Sequence, residues 1–223
     1  MIDSHVLLST GYFPPIQYLS KFLIYETIWI EVFENFTKQT YRNRAVISAA
    51  NGAESLILPV EKGRSRKQLI KDIRISYDTN WQHIHWQAIV SAYQSSPFFE
   101  VLQDDFRPFF EKQYSFLLDF NTEILRTVLD ILEVQPITKQ TADFEEVPAE
   151  CINMREAIHP KPQKALPDPL FEPQKYTQVF DDKFGFTPNL SCLDLLFNCG
   201  SESYEVLLKS INATGLAKSG NRE

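Results

Sequence analysis

Val6-Leu7-Leu8-Ser9-Thr10-Gly11-Tyr12-Phe13-Pro14-Pro15-Ile16-Gln17-Tyr18 is the stretch that decides the fold class. Val6-Leu7-Leu8 is wholly apolar, as a strand covered on both faces would be. Pro14 or Pro15 can open a helix, because an N–H in the first turn needs no intrahelical partner. Ile16, Leu19, Phe22 and Leu23 then form one apolar helical face. From Thr27 to Phe33 the period changes to two, with Ile28, Ile30 and Val32 against Thr27, Trp29, Glu31 and Phe33. Strand, helix, strand within forty residues predicts a parallel pair joined by a crossover.

Working outward, Arg42 to Ala50 and Ala53 to Val60 flank Asn51-Gly52, a pair suited to a type I′ hairpin turn. Alternation of Ile73, Ile75 and Tyr77 with Asp72, Arg74 and Ser76 predicts a further strand over Ile70–Tyr77. From Asn80 to Val134 the apolar spacing is helical. Gln135 to Gln174 holds 7 of the 13 prolines and little periodicity, so an extended segment or linker is expected. Order returns at Tyr176, with short helices near Asn189–Phe197 and Ser201–Ile211. The expected division is an α/β core over 1–134, a proline-rich segment over 135–175, a C-terminal helical segment over 176–212 and a frayed tail over 213–223. The fold class is α/β or α+β. A mixed sheet from the N-terminal third would be packed by helices of the middle third, with the C-terminal segment wrapping back.

Composition excludes several function classes. The chain has 223 residues, is 43% hydrophobic and 23% charged, and carries a net charge of −7. Such acidity argues against a nucleic-acid polymer as partner. No apolar run is long enough for membrane insertion, and the first ten residues lack a signal peptide's basic start. Three widely spaced cysteines suit reduced thiols, which makes a cytoplasmic location the expectation. Neither Gly-rich phosphate-loop pattern occurs, and the cysteines lack zinc spacing, so no metal is expected and the cofactor stays open. One departure from the average is local. Between Lys38 and Arg74 lie nine basic residues against three acidic ones, a rim suited to a small anionic substrate or nucleotide phosphate.

Several strings in order resemble the WbqC-like protein family of bacteria. They are Gly11-Tyr12-Phe13-Pro14-Pro15-Ile16-Gln17-Tyr18, Tyr41-Arg42-Asn43-Arg44, Leu58-Pro59-Val60, Trp81 with His85 and Tyr93, Ser96-Pro97-Phe98-Phe99, and Asn189-Leu190-Ser191-Cys192-Leu193-Asp194-Leu195-Leu196-Phe197-Asn198. The resemblance spans roughly Val6 to Gly200. It implies a connection with cell-surface polysaccharide (O-antigen) gene clusters and carries no agreed catalytic residue. The opening also resembles nucleotidylyltransferase-type domains in outline, but Pro15-Ile16-Gln17-Tyr18 stands where their His-x-Gly-His turn would be.

Individual residues have two readings each. Arg42 and Arg44 would share a strand face and clamp an anion, or serve as surface arginines. His85 lies on one helical face with Trp81, Ile89 and Tyr93, either as a general base or as a satisfied core residue. Ser191 and Asp194 have capping-box spacing, and their alternative role is to return with Asn189 to a ligand site. Tyr12 and Gln17 follow the first strand, where open α/β sheets bind ligands, although aromatics there also serve as core. The leading expectation is a transferase-like enzyme acting on a nucleotide sugar or related glycan precursor, including acyl or aminoacyl transfer. His85 would be the base, Arg42 and Arg44 the anion clamp, and Tyr93 and Asn43 the acceptor's guides. The alternative is a non-catalytic binding or scaffold protein for a glycan precursor or partner enzyme. Oligomeric state stays open.

Overall fold

A computed structural model describes residues 2–62, 67–144 and 151–212. The opening forms as its period dictates. Strand β1 (Ile2–Ser9) leads through a short turn to helix α1 (Ile16–Ile24), which runs directly into β2 (Tyr25–Glu31). The two strands pair in parallel, Leu8 opposite Ile30 and Ser9 opposite Glu31. Val6, Leu7 and Leu8 are all fully buried, which explains the unbroken apolar run. Val6 and Leu8 enter the main core, and the pleat sends Leu7 to the other face.

The expected mixture of helix and sheet is present, in two separate sheets. The first is parallel, in the order β5-β2-β1-β6, and its outer strands are β5 (Ile137–Gln140) and β6 (Cys151–Asn153). Both outer strands come from the proline-rich segment, which adds one short strand to each side of the β1–β2 pair. The second sheet is the hairpin β3 (Arg44–Ala49) and β4 (Gly52–Ile57), antiparallel and apart from the first. Its turn differs from the type I′ expectation, because Gly52 has φ +106 and Asn51 keeps a negative φ. Ile70–Tyr77 is not a strand. A 3-10 turn over Ile70–Asp72 leads into single bridges from Arg74 to Phe116 and from Ile75 to Val60. Ile73 and Ile75 are buried as the alternation implied, but no neighbouring strand runs alongside to extend the pairing.

Helices α2 (Trp81–Tyr93), α3 (Phe99–Phe106) and α4 (Leu117–Ile131) follow, then the single turn α5 (Asp181–Phe184), α6 (Cys192–Cys199) and α7 (Ser203–Lys209). Helix α6 is the hub. It packs on α1, α2, α3, α7 and the hairpin strand β3, and Cys192, Leu193, Leu195, Leu196 and Phe197 are fully buried. Ser191 caps it by accepting the Leu193 N–H at 3.3 Å. The C-terminal segment therefore wraps back onto the core. No described helix is long and apolar enough to cross a membrane. The expected frayed tail 213–223 and the centre of the Lys62–Lys71 basic cluster lie outside the described residues.

Candidate functional site at the carboxyl end of the parallel sheet

Strands β1 and β2 end side by side at Ser9 and Glu31, and Glu34 follows three residues later. Beyond them the chain passes through a 3-10 turn, Tyr41–Asn43, which brings Arg42 over the strand ends. On the other side, β6 ends at Asn153 and delivers Arg155 and Glu156. Parallel pairing thus collects residues distant in sequence at one edge, the usual ligand position in open parallel sheets.

The charges there form two ion-paired sets, linked through the Ser9 hydroxyl, which lies 3.0 Å from the Arg155 carbonyl. Arg42 Nε donates to Glu34 Oε1 at 2.7 Å and Nη2 to Glu34 Oε2 at 2.6 Å, a two-pronged pair. Nη2 also donates to Ser9 Oγ at 2.8 Å and to Glu156 Oε1 at 2.6 Å. Ser9 Oγ lies 3.1 Å from Glu34 Oε2. Arg155 Nη1 donates to Glu31 Oε2 at 2.8 Å, and Thr141 Oγ1 donates to Glu31 Oε1 at 2.8 Å. Burial raises the Glu34 carboxyl above its usual range, against the pull of Arg42 and Ser9. Counting these five charged side chains, three carboxylates face two guanidiniums.

Two openings reach this cluster. A slot lined by Ser9, Gly11, Arg42 and Arg155 has about 20 Å³ of free space, enough for a water-sized group. Beside it a cleft of about 350 Å³ is lined by Glu34, Asn35, Phe144, Asn153, Arg155 and Glu156, with Ala157 and Leu166 completing the wall. Arg155 belongs to both. The Glu156 side chain is 60% exposed, whereas those of Arg42 and Glu34 are buried.

Of the residues singled out from sequence, only Arg42 reaches this edge. The expected Arg42–Arg44 clamp is not formed, because the 3-10 turn breaks the alternation and β3 begins only at Arg44. Arg42 is committed to carboxylates, and Arg44 Nε is buried without a hydrogen-bond partner. Asn43 Nδ2 donates to the Leu58 carbonyl at 2.8 Å and so ties the turn to the hairpin. His85 is buried in α2. Its Nδ1 and the Tyr12 hydroxyl share a hydrogen bond of 2.9 Å, and its ring packs edge-on against Trp81. Burial lowers its pKa to about 4, with the Ile57 backbone acting the other way. His85 and Tyr12 are buried and line neither opening.

The remaining candidates form two further internal groups. Tyr93 donates to Asp194 Oδ1 at 3.0 Å, and Tyr176 and Gln178 Nε2 donate to Oδ2 at 2.6 and 2.8 Å. Asp194 thus departs from the capping box and serves as an internal acceptor. Burial raises its carboxyl pKa, and the three donors oppose the shift. Asn189 Oδ1 accepts the Gln17 backbone N–H at 2.8 Å, and Gln17 Nε2 donates to Asp168 at 2.8 Å. Asp168 also pairs with the buried Lys21 at 2.5 Å. Sequence reasoning missed Glu31, Glu34, Arg155 and Glu156. The acidic pair just past an apolar strand was a usable sign. Arg155-Glu156 had none, since β6 is three residues long.

With this geometry in view, comparison with known proteins adds a lineage. The profile of the WbqC-like protein family matches residues 10–158. The chain belongs to the WbqC-like family. The matched span includes Glu31, Glu34, Arg42, Arg155 and Glu156 and ends two residues later. A bacterial relative, from Mycobacterium tuberculosis (strain ATCC 25618 / H37Rv) and bearing the name Uncharacterized protein Rv1507c, is 25% identical over 232 aligned positions. That alignment covers 93% of this chain and 96% of the relative. No solved structure matches significantly. Among the described residues no group of three or more His, Cys, Asp and Glu side chains is arranged to hold a metal ion.

Proposed function

We propose that this WbqC-like protein is a group-transferring enzyme acting on a nucleotide-activated sugar or related precursor of a bacterial surface polysaccharide, by acyl or aminoacyl transfer. The observation that carries the proposal is the Glu34–Arg42–Glu156 and Glu31–Arg155 cluster opening into a cleft at the carboxyl ends of β1 and β2. Charged groups are placed in a core at a large desolvation cost, and a binding site gives a reason for that cost. The polysaccharide part of the reading rests on what the resemblance to WbqC-like proteins implies.

Each residue then has a task. Arg155, reachable from both openings, holds the anionic part of the substrate. Glu156, exposed and steadied through one oxygen by Arg42, takes the proton from the acceptor's amine or hydroxyl. That nucleophile attacks the donor's acyl carbon, and the donor's leaving group departs with the bonding pair. Glu34 and Ser9 fix the Arg42 guanidinium, so that Glu156 is held in place.

The test is a screen of purified protein against amino- and hydroxyl-bearing nucleotide sugars paired with acyl thioesters and aminoacyl esters, with products read by mass. The expected result is a mass increase equal to one transferred group, lost at least tenfold in Arg155→Ala and Glu156→Gln and retained in folded His85→Gln. A product that survives Arg155→Ala and disappears with His85→Gln would move the site to α2. An absence of product from every pair would favour the binding-protein alternative.

A further inference from the structure

The loop after Glu156 closes on itself at the mouth of the cleft. Leu166 N–H donates to the Ala157 carbonyl at 3.0 Å, and a 3-10 turn over Pro162–Lys164 lies between them. Both ends of the loop, Ala157 and Leu166, line the cleft, and Ile158 lines the slot. Within it are His159, Lys161 and Lys164 and no carboxylate. The Lys161 N–H donates to His159 Nδ1 at 2.9 Å. Lys161 Nζ crosses to Gln39 Oε1 at 2.5 Å, beside the Thr40 and Tyr41 that wall the slot. With Arg155, whose Nη1 is paired with Glu31, the segment bordering the cleft carries three permanent cations in a protein whose net charge is −7. The acidic neighbour Glu156 is engaged by Arg42. Burial and then Lys164 lower the pKa of His159, with Glu156 opposing. At the cleft's edge stand two large apolar side chains, Phe144 at 56% and Leu166 at 58% exposure. The Arg155 guanidinium lies 5.0 Å from the Phe144 ring centroid.

We propose that this rim is a diphosphate-binding loop, in which Arg155, Lys161 and Lys164 take the phosphates of a nucleoside diphosphate while Phe144 and Leu166 flank its base. The assignment rests on the transferase reading for its biological sense and on the rim's own charges for its chemistry. A flexible ammonium suits a phosphate as a point charge, and the guanidinium adds a planar fork. An exposed aromatic beside them gives a base a face to stack on.

Titration calorimetry on the full chain tests it with UDP, GDP, CDP and dTDP, the matching nucleosides, and inorganic pyrophosphate. At least one nucleoside diphosphate should bind ten times more tightly than its nucleoside, and pyrophosphate should bind as well. The double variant Lys161→Ala/Lys164→Ala should weaken both at least tenfold with an unchanged Tm. Phe144→Ala should weaken the nucleoside diphosphate and spare pyrophosphate. Wild-type binding in the double-lysine variant overturns the loop, and so does a native protein that binds none of these probes. The two readings separate cleanly. Pyrophosphate held through the lysines without any group transfer would retire the transferase and keep the loop. Transfer with an unaltered KM in the double variant would do the reverse.

Discussion

The buried charged residues at the sheet edge hold one another, and that mutual dependence explains what substitution should do. Arg42 and Glu34 satisfy each other inside the sheet edge. Arg42→Met leaves a carboxylate buried without its cation and should lower stability by about 3–5 kcal/mol. Adding Glu34→Gln should recover a good part of that loss, a non-additivity that denaturant titration of the single and double variants will read. His85 makes a prediction with a definite sign. Its folded pKa of about 4 lies below the unfolded value near 6.5, so between these pH values the unfolded chain binds more protons. The histidine's contribution is therefore intact above pH 6.5 and lost as pH falls toward 4, by about 3 kcal/mol in all. Glu34 and Asp194, with raised pKa values, bend stability the other way. The clean measurement is the difference between wild type and His85→Gln, whose stability gap should shrink on acidification from pH 7 to 4.5.

Among the elements, those with strong local period were legible and those defined by distant partners were not. β1, α1, β2 and α2 follow from apolar spacing in windows of a dozen residues. β5 and β6 have mostly exposed residues and exist because β2 and β1 offer open edges, a fact no local window contains. The candidate site suffered for the same reason, since Arg155 and Glu156 reach it only through β6. Alternation at Ile70–Tyr77 marked the burial of Ile73 and Ile75 but not that of Ser76, and it marked pairing incorrectly, because apolar alternation reports which side is covered and not what covers it. The end of α6 allows a direct test. Gly200 has φ +52, and a Cβ there would sit 2.3 Å from the Phe98 ring. Gly200→Ala should cost about 2–3 kcal/mol through backbone strain and overpacking together, seen as a fall in Tm without loss of the folded baseline.

For the whole molecule, the family-matched span and the folding unit are different lengths. The match ends at residue 158, while Leu193, Leu195, Leu196, Phe197 and Leu207 are fully buried in the shared core. A fragment ending at Ile158 should therefore lack cooperative unfolding by near-ultraviolet circular dichroism. The buried Lys21–Asp168 pair holds the strap between β6 and the C-terminal helices against α1, so the site and the far end of the chain depend on one fold. The most direct measurement of where this protein acts is amide hydrogen exchange, with and without a saturating nucleoside diphosphate or nucleotide sugar taken from the binding screens. Slowed exchange confined to residues 9–11 and 153–166 is the expected result. Slowed exchange centred on α2 around His85, with the sheet edge unchanged, would contradict it.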